Sequence, residues 1–213
     1  MLNFLIKDYL LLRRNIWMIV VLTLVLPLIV RLIDFTLPGT ISFFYMIIMS
    51  PLLTEYSLSM EEEKNADALA YICSLPNGRR NYVYAKYMGA FLVILYCLLV
   101  YCGMYFIFYS GKSFYSSTVV KILFCGISLM AVYIPVDIKH GINGVKYIFI
   151  PTVLLVSSGP LFFSRLLTDN GWKEAMHYVI TKNENILILI FVGVCVYGIS
   201  AMISIRIMRR KEV

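Results

Sequence analysis

Residues 83–109 read VYAKYMGAFLVILYCLLVYCGMYFIFY, a run whose single charge is Lys86, close to its start. Each helical residue advances the chain by about 1.5 Å, so roughly 20 apolar residues cross a hydrocarbon core about 30 Å thick. A helix also satisfies its own backbone hydrogen bonds, which lipid does not do for it. The run therefore predicts a membrane-spanning helix. The whole chain has the same character: of 213 residues, 61% are hydrophobic and 15% charged, where a soluble domain carries about 25% charged. Its mean hydropathy is +0.82.

Working towards the N-terminus, a polar stretch separates this run from another apolar segment at 40–60, entered by the turn Thr36-Leu37-Pro38-Gly39. A further span is expected at 16–33, with Arg31 near its end, where the guanidinium can reach the headgroups. At a helix centre such a charge costs about 2.5–3.5 kcal/mol. Within residues 1–14, Leu2, Leu5, Ile6 and Tyr9 recur at helical spacing, and Lys7, Asp8, Arg13 and Arg14 take the other side. That pattern predicts a helix in the membrane interface with its basic residues towards the headgroups.

Towards the C-terminus, Ser110-Gly111-Lys112-Ser113 leads to a span at 118–136 and a polar loop at 137–146 holding Lys139, His140 and Lys146. The next apolar run starts at Tyr147 and meets Ser157-Ser158-Gly159-Pro160. Proline lacks the backbone donor and glycine weakens a helix, so a break and a shorter, re-entrant piece are expected there. The last span is expected at 186–208. The fold class is thus all-α integral membrane: six transmembrane helices in one domain, 1–213, with an N-terminal interfacial helix and a broken fifth segment.

Alternating these spans from a cytoplasmic N-terminus assigns Lys7, Arg13, Arg14, Lys64, Arg79, Arg80, Lys86, Lys139, Lys146, Arg206, Arg209, Arg210 and Lys211 to the inside. The outside receives Arg31, Lys112, Lys121, Arg165, Lys173 and Lys182. Positive charge collects on the cytoplasmic side of membrane proteins, so both termini are expected inside. The same asymmetry accounts for the net charge of +7 without nucleic acid. The expected location is a bacterial cell membrane.

One polar stretch carries more organisation than a connection needs. Residues 57–87 read SLSMEEEKNADALAYICSLPNGRRNYVYAKY. Ser59 followed by Glu62 fits a capping box, and Glu61, Glu62 and Glu63 would place negative charge at a helix start. Leu69, Ile72 and Cys73 share a face at helical spacing. Pro76 ends the helix, Asn77-Gly78 offers a turn, and Arg79-Arg80 restart the chain at the membrane. The reading is a short amphipathic cytoplasmic helix. Physics alone balances a loop-closing surface helix against one that docks a partner.

The run from Glu61 to Tyr87 resembles the cytoplasmic loop of type-2 ABC transporter permeases, particularly the small subunits without an ATPase of their own. The resemblance rests on Glu61–Glu63, Leu69, Ser74-Leu75-Pro76, Arg79-Arg80 and Lys86-Tyr87. It implies that residues 61–75 form a coupling helix seated on a separate cytoplasmic ABC ATPase, through Glu61, Glu62, Glu63, Lys64, Asp67, Leu69 and Ile72. It also implies pairing with a second copy or a similar permease in the lipid bilayer. ATP and Mg would sit on the ATPase, with no cofactor on this chain. Peptide export is the expected use, on amphipathic or antimicrobial and cytolytic peptides. The rival reading is a stand-alone channel or immunity protein with no ATPase.

No catalytic or metal-binding residues are expected. Gly111-Lys112-Ser113 matches the end of a phosphate-binding loop, but position 106, which needs glycine, is Phe. Glu61-Glu62 lacks the arginine that follows the glutamates of intramembrane metalloproteases, and Gly126-Ile127-Ser128 lacks the second glycine of a rhomboid nucleophile motif. His140 and His177 fall on opposite predicted sides of the membrane, so they cannot share a metal. The five cysteines form no CxxC pair and read as small packing residues. The interfacial or cavity candidates are Arg31, Glu55, Tyr96, Tyr101 and Tyr105. An intramembrane carboxylate such as Glu55 fits a proton or ion pathway; the favoured reading is an interfacial carboxylate paired with a basic residue.

Overall fold

The computed structural model describes residues 6–8, 10, 11, 17, 20, 21, 23–25, 39–65, 71, 74, 77–108, 116–166 and 186–210. These include four long helices: α1 (Gly39–Lys64), α2 (Gly78–Phe108), α3 (Ser116–Leu166) and α4 (Ile186–Arg210). Among the described residues, three helices are long and apolar enough to cross a membrane, drawn from α2, α3 and α4. The segment expected as a span at 40–60 lies in α1, which is not one of these three. Its position explains why. Phe43, Met46, Ile47, Leu52, Ser50 and Glu55 are all buried, because α1 packs on both α2 and α3. A helix enclosed by protein need not be soluble in lipid, and can carry polar side chains inward.

Side-chain pairings set the register. Phe43 stacks on Tyr101 at 4.4 Å, the Cys97 thiol reaches the Met46 carbonyl, and Glu62 meets Tyr82 and Lys86, so α1 and α2 are antiparallel. On α3, Gly126 lies against Ile47 and Asp137 against Ser59. The first part of α3 thus runs parallel to α1, nearly residue for residue. Gly126 permits this approach: a β-carbon there would stand 2.3 Å from Ile47 Cγ2. Small residues serve helix contacts in membranes in this way, since lipid gives no hydrophobic drive to association.

A straight helix of the length of α3, 51 residues, would extend roughly 77 Å, far beyond a bilayer. It does not run straight. Gly141 has φ 62° and ψ −155°, a conformation essentially reserved for glycine, and the chain reverses there. Asp137 bonds to Ser59, while Phe149, twelve residues on, stacks on Tyr56 of the same α1 at 4.5 Å. The first limb, 116–140, therefore lies along α1, and the second, from residue 142, meets α1 again at Phe149. A β-carbon on Gly144 would stand 2.4 Å from His140 Cβ, so glycine is also needed for the limbs to close. The polar loop expected at 137–146 is replaced by this one-residue reversal. The break expected at 157–160 is absent from the backbone, which stays helical to Leu166: the chain is broken where glycine is forced, not where Pro160 loses one hydrogen bond.

α4 closes the bundle against α3 and α2. Its small and flexible residues Gly193, Ser200, Ser204 and Met208 face inward, whereas Leu187, Phe191 and Val194 are 66–80% exposed, as lipid-facing positions are. The Tyr87 hydroxyl sits between Ser200 and Ser204 at 2.6 and 2.8 Å, and Tyr197 donates to the Tyr87 carbonyl. In lipid these hydroxyls lack water, so bonding one another across helices is their means of satisfaction. The N-terminal helix, expected to turn its basic side to headgroups, does otherwise at the residues described. Ile6 and Leu10 are exposed, while Lys7 and Asp8 turn into the protein.

Candidate functional site

The reason lies at one end of the bundle. The last turn of α1, the first turns of α2 and the end of the first α3 limb converge there on charged side chains. Lys86, only 2% exposed, carries an ammonium bound by Asp137 and by Glu62, the latter at 2.9 Å. Ser59 donates to the other Asp137 oxygen at 2.7 Å. Tyr82 donates to Glu62 Oε2 at 2.7 Å, and Lys7 bonds Glu62 Oε1 at 3.1 Å. Every carboxylate oxygen of Asp137 and Glu62 has a partner, which is what burial of charge demands. Burial pushes the Glu62 carboxyl upward, but Lys86 and Lys7 beside it and the Tyr82 hydroxyl outweigh this and hold it below its ordinary value. Asp8 is moved the other way, since its burial outweighs Lys7.

Nearby, Arg79 donates to the carbonyl of Arg209 at 3.1 Å, placing positive charge at the C-terminal end of α4, where a helix presents unpaired carbonyls. Residues 7, 62, 79–86, 137 and 209 thus share one end.

A sequence profile of ABC-2 family transporter proteins matches residues 3–209. The chain belongs to the ABC-2 transporter family. No curated protein and no solved structure matches it. It is a type-2 ABC transporter permease, a membrane protein whose family works with an ABC ATPase.

In this permease the acidic segment divides. Glu63 is exposed, and Glu61 pairs with Lys64 at 2.7 Å near the surface. Glu62 instead turns inward to the ion cluster. The capping-box reading is corrected: Ser59 and Glu62 lie in the continuing α1, whose last residue is Lys64, and their side chains serve Asp137, Lys86, Tyr82 and Lys7. The helix start expected at Glu61–Glu63 is a helix end. Asp67, Leu69 and Ile72 lie outside the described residues, as does Arg31. Tyr71 is 69% exposed, and Ser74 donates to its carbonyl.

The aromatic candidates are distributed rather than convergent. Tyr101 is core, stacked on Phe43; Tyr105 lies 6.2 Å from it; Tyr96 bonds Thr23 at 3.3 Å. Glu55 is buried, and its Oε2 has no hydrogen-bond partner among the described residues. Among the described residues no group of His, Cys, Asp and Glu is arranged to hold a metal. Sequence reasoning overlooked Asp137, Tyr82, Ser59 and the clustering role of Lys86. A signal was present: Lys86 stands near the start of the run at 83–109 and Asp137 directly after the run at 118–136, on the same predicted side, and buried opposite charges seek each other.

Proposed function

We propose that this permease is the membrane subunit of an ATP-driven exporter, in which two copies pair and each couples through residues 61–75 to a separate cytoplasmic ATPase. In this reading the single domain, 1–213, spans the membrane six times with both termini inside. The limbs of α3 count as separate spans, and a first span precedes α1. The observation that carries it is the position of Glu62. It stands in the last turn of α1, at the start of the proposed coupling segment, and its carboxylate is tied to Lys86 on α2, which also holds Asp137 on α3. A push on that segment reaches three helices through buried ion pairs, whereas a solvated loop would absorb it. The cargo class we favour is an amphipathic peptide, by analogy with small permeases of this kind.

The test is purification from the native membrane in mild detergent, with mass spectrometry of what accompanies the chain. A stoichiometric ATPase is expected, lost when Leu69→Arg is combined with Glu61→Lys and Glu63→Lys. These positions are preferable to Glu62, whose loss would disturb the ion cluster itself. ATP hydrolysis by the complex should then rise with an amphipathic cytolytic peptide. Recovery of the chain alone in several gentle detergents would overturn the coupling reading and favour a stand-alone channel or immunity protein.

A further inference from the structure

The end of the bundle that holds the ion cluster also gathers arginines. Arg79 donates to the Arg209 carbonyl at 3.1 Å, which brings the start of α2 onto the end of α4. Arg80 lies over the Tyr84 ring at 5.4 Å and donates to its hydroxyl at 3.3 Å. Arg206, Arg209 and Arg210 are exposed on the last turns of α4. Among the described residues the ion pairs are formed by lysines alone, Lys7, Lys64 and Lys86, so none of these five guanidiniums has a carboxylate partner there. The nearby acids are already taken: Asp137 and Glu62 by Lys86 and Lys7, and Glu61 by Lys64. Like charges brought together on two joined helix ends repel one another until an anion sits among them.

The surface continuing from the arginines narrows the kind of anion. On α2, Tyr84, Met88, Phe91 and Leu95 follow Arg80 along one helical face, and the last three are 42–44% exposed. On α4, Ile199, Met202 and Ile203 precede Arg206 on its face and are 50–64% exposed. Each helix therefore shows an apolar stripe with a guanidinium at its end, and Tyr84 supplies the amphipathic ring that suits headgroup depth. A small inorganic anion would leave both stripes unused. An anionic phospholipid carries its charge and its chains in the same order as these faces do. Basic residues at a membrane surface attract such headgroups, and the guanidinium fork matches phosphate oxygens two at a time.

We propose that the joined ends of α2 and α4 bind the headgroup of an anionic phospholipid, held by Arg79 and Arg80 from one helix and Arg206, Arg209 and Arg210 from the other. The acyl chains lie along the two apolar stripes. The bound phosphate removes the repulsion among the arginines and so ties α2 to α4 more firmly than the single Arg79 bond does. It acts on the helix that carries Lys86, at the end where residues 61–75 lead into α2. The site is the same whatever cargo the permease carries, and it does not require a docked ATPase.

The test uses the full-length protein, stripped of lipid in mild detergent and then given phosphatidylglycerol or phosphatidylcholine with the same chains. Native mass spectrometry reads the bound lipid, and thermal unfolding reads its effect. Phosphatidylglycerol is expected to stay bound and to raise the unfolding temperature, while phosphatidylcholine and inorganic phosphate leave it unchanged. Arg206→Gln with Arg210→Gln spares the Arg79 bond to the Arg209 carbonyl. That variant should unfold like wild type without lipid and bind phosphatidylglycerol roughly tenfold more weakly, since each basic residue at the surface adds to the attraction. If it fails to fold, Arg80→Gln makes the same comparison from α2. Lys139→Gln with Lys146→Gln removes equal charge from exposed positions beside the α3 reversal and should bind as wild type does. Equal retention of the two lipids, or equal weakening in the lysine variant, would overturn the proposal, because the attraction would then be diffuse. A stabilisation reproduced by inorganic phosphate would overturn it in favour of a simple ion site. Lipid binding intact in the arginine variants, with an ATPase lost instead, would assign the surface to a protein partner.

Discussion

Lys86 has two carboxylate partners that depend on it unequally. Asp137 retains only Ser59 when the ammonium is removed, while Glu62 keeps Lys7 and Tyr82. Breaking a buried pair by deleting one partner costs about 3–5 kcal/mol, because the other charge stays behind unpaired. Lys86→Met should therefore lower the unfolding temperature sharply in mild detergent. Adding Asp137→Leu should recover part of the loss, and the double-mutant cycle measures how much was uncompensated charge. Glu62 gives a pH counterpart. Its native carboxyl lies below the ordinary value of 4.5, so near that pH the unfolded chain binds more protons and acid favours unfolding. The stability that Glu62 contributes is complete above about pH 4.5 and is lost as pH falls through the lower native value. Wild type and Glu62→Gln should differ most above that window and converge below it, followed by unfolding temperature across pH. None of these couplings shows in the sequence as a motif. Lys86 and Asp137 are 51 residues apart, and only the fold makes them neighbours.

At the scale of elements, hydropathy locates apolar stretches and says little of their company. The expected boundaries of the third and sixth apolar runs fall within a few residues of α2 and α4, since lipid contact there imposes a strong compositional signal. α1 is less apolar because protein encloses it. The reversal in α3 was hidden: Lys139, His140 and Lys146 read as a solvated loop, yet one glycine accomplishes the turn. Gly141→Ala should cost about 1–3 kcal/mol, the range for a residue forced into a sparsely populated backbone region; limited proteolysis between residues 137 and 146 and thermal unfolding would both register it. Gly126→Ala tests packing instead. Its methyl would stand 2.3 Å from Ile47 Cγ2, an overpacking expected to cost about 1–3 kcal/mol. Ile47→Leu removes that methyl branch, so the pair should be more stable than Gly126→Ala alone. Failure of this rescue would mean that the helix backbones, rather than the side chain, set the distance.

For the molecule as a whole, the question is whether docking and transmission are separable. Residues 61–75 were legible as a candidate docking segment because their composition is unlike the flanking spans. Their connection to the bundle was not legible, because Glu62 resembles its neighbours, half-buried Glu61 and exposed Glu63, in type and differs in direction. If that connection carries motion, substitutions on the two sides of it should fail differently. Asp137→Asn keeps the shape and the capacity to bond Ser59 but weakens the hold on Lys86. It is expected to co-purify with the ATPase at wild-type stoichiometry, yet lose substrate-stimulated hydrolysis and transport by roughly tenfold, equivalent to about 1.4 kcal/mol of coupling. Leu69→Arg with reversed charge at Glu61 and Glu63 should instead lose the ATPase while leaving the unfolding temperature of the permease nearly unchanged, since surface substitutions seldom exceed about 0.5 kcal/mol. A complex of Asp137→Asn that transports normally would show that force bypasses the ion cluster and enters the bundle along the backbone of α2.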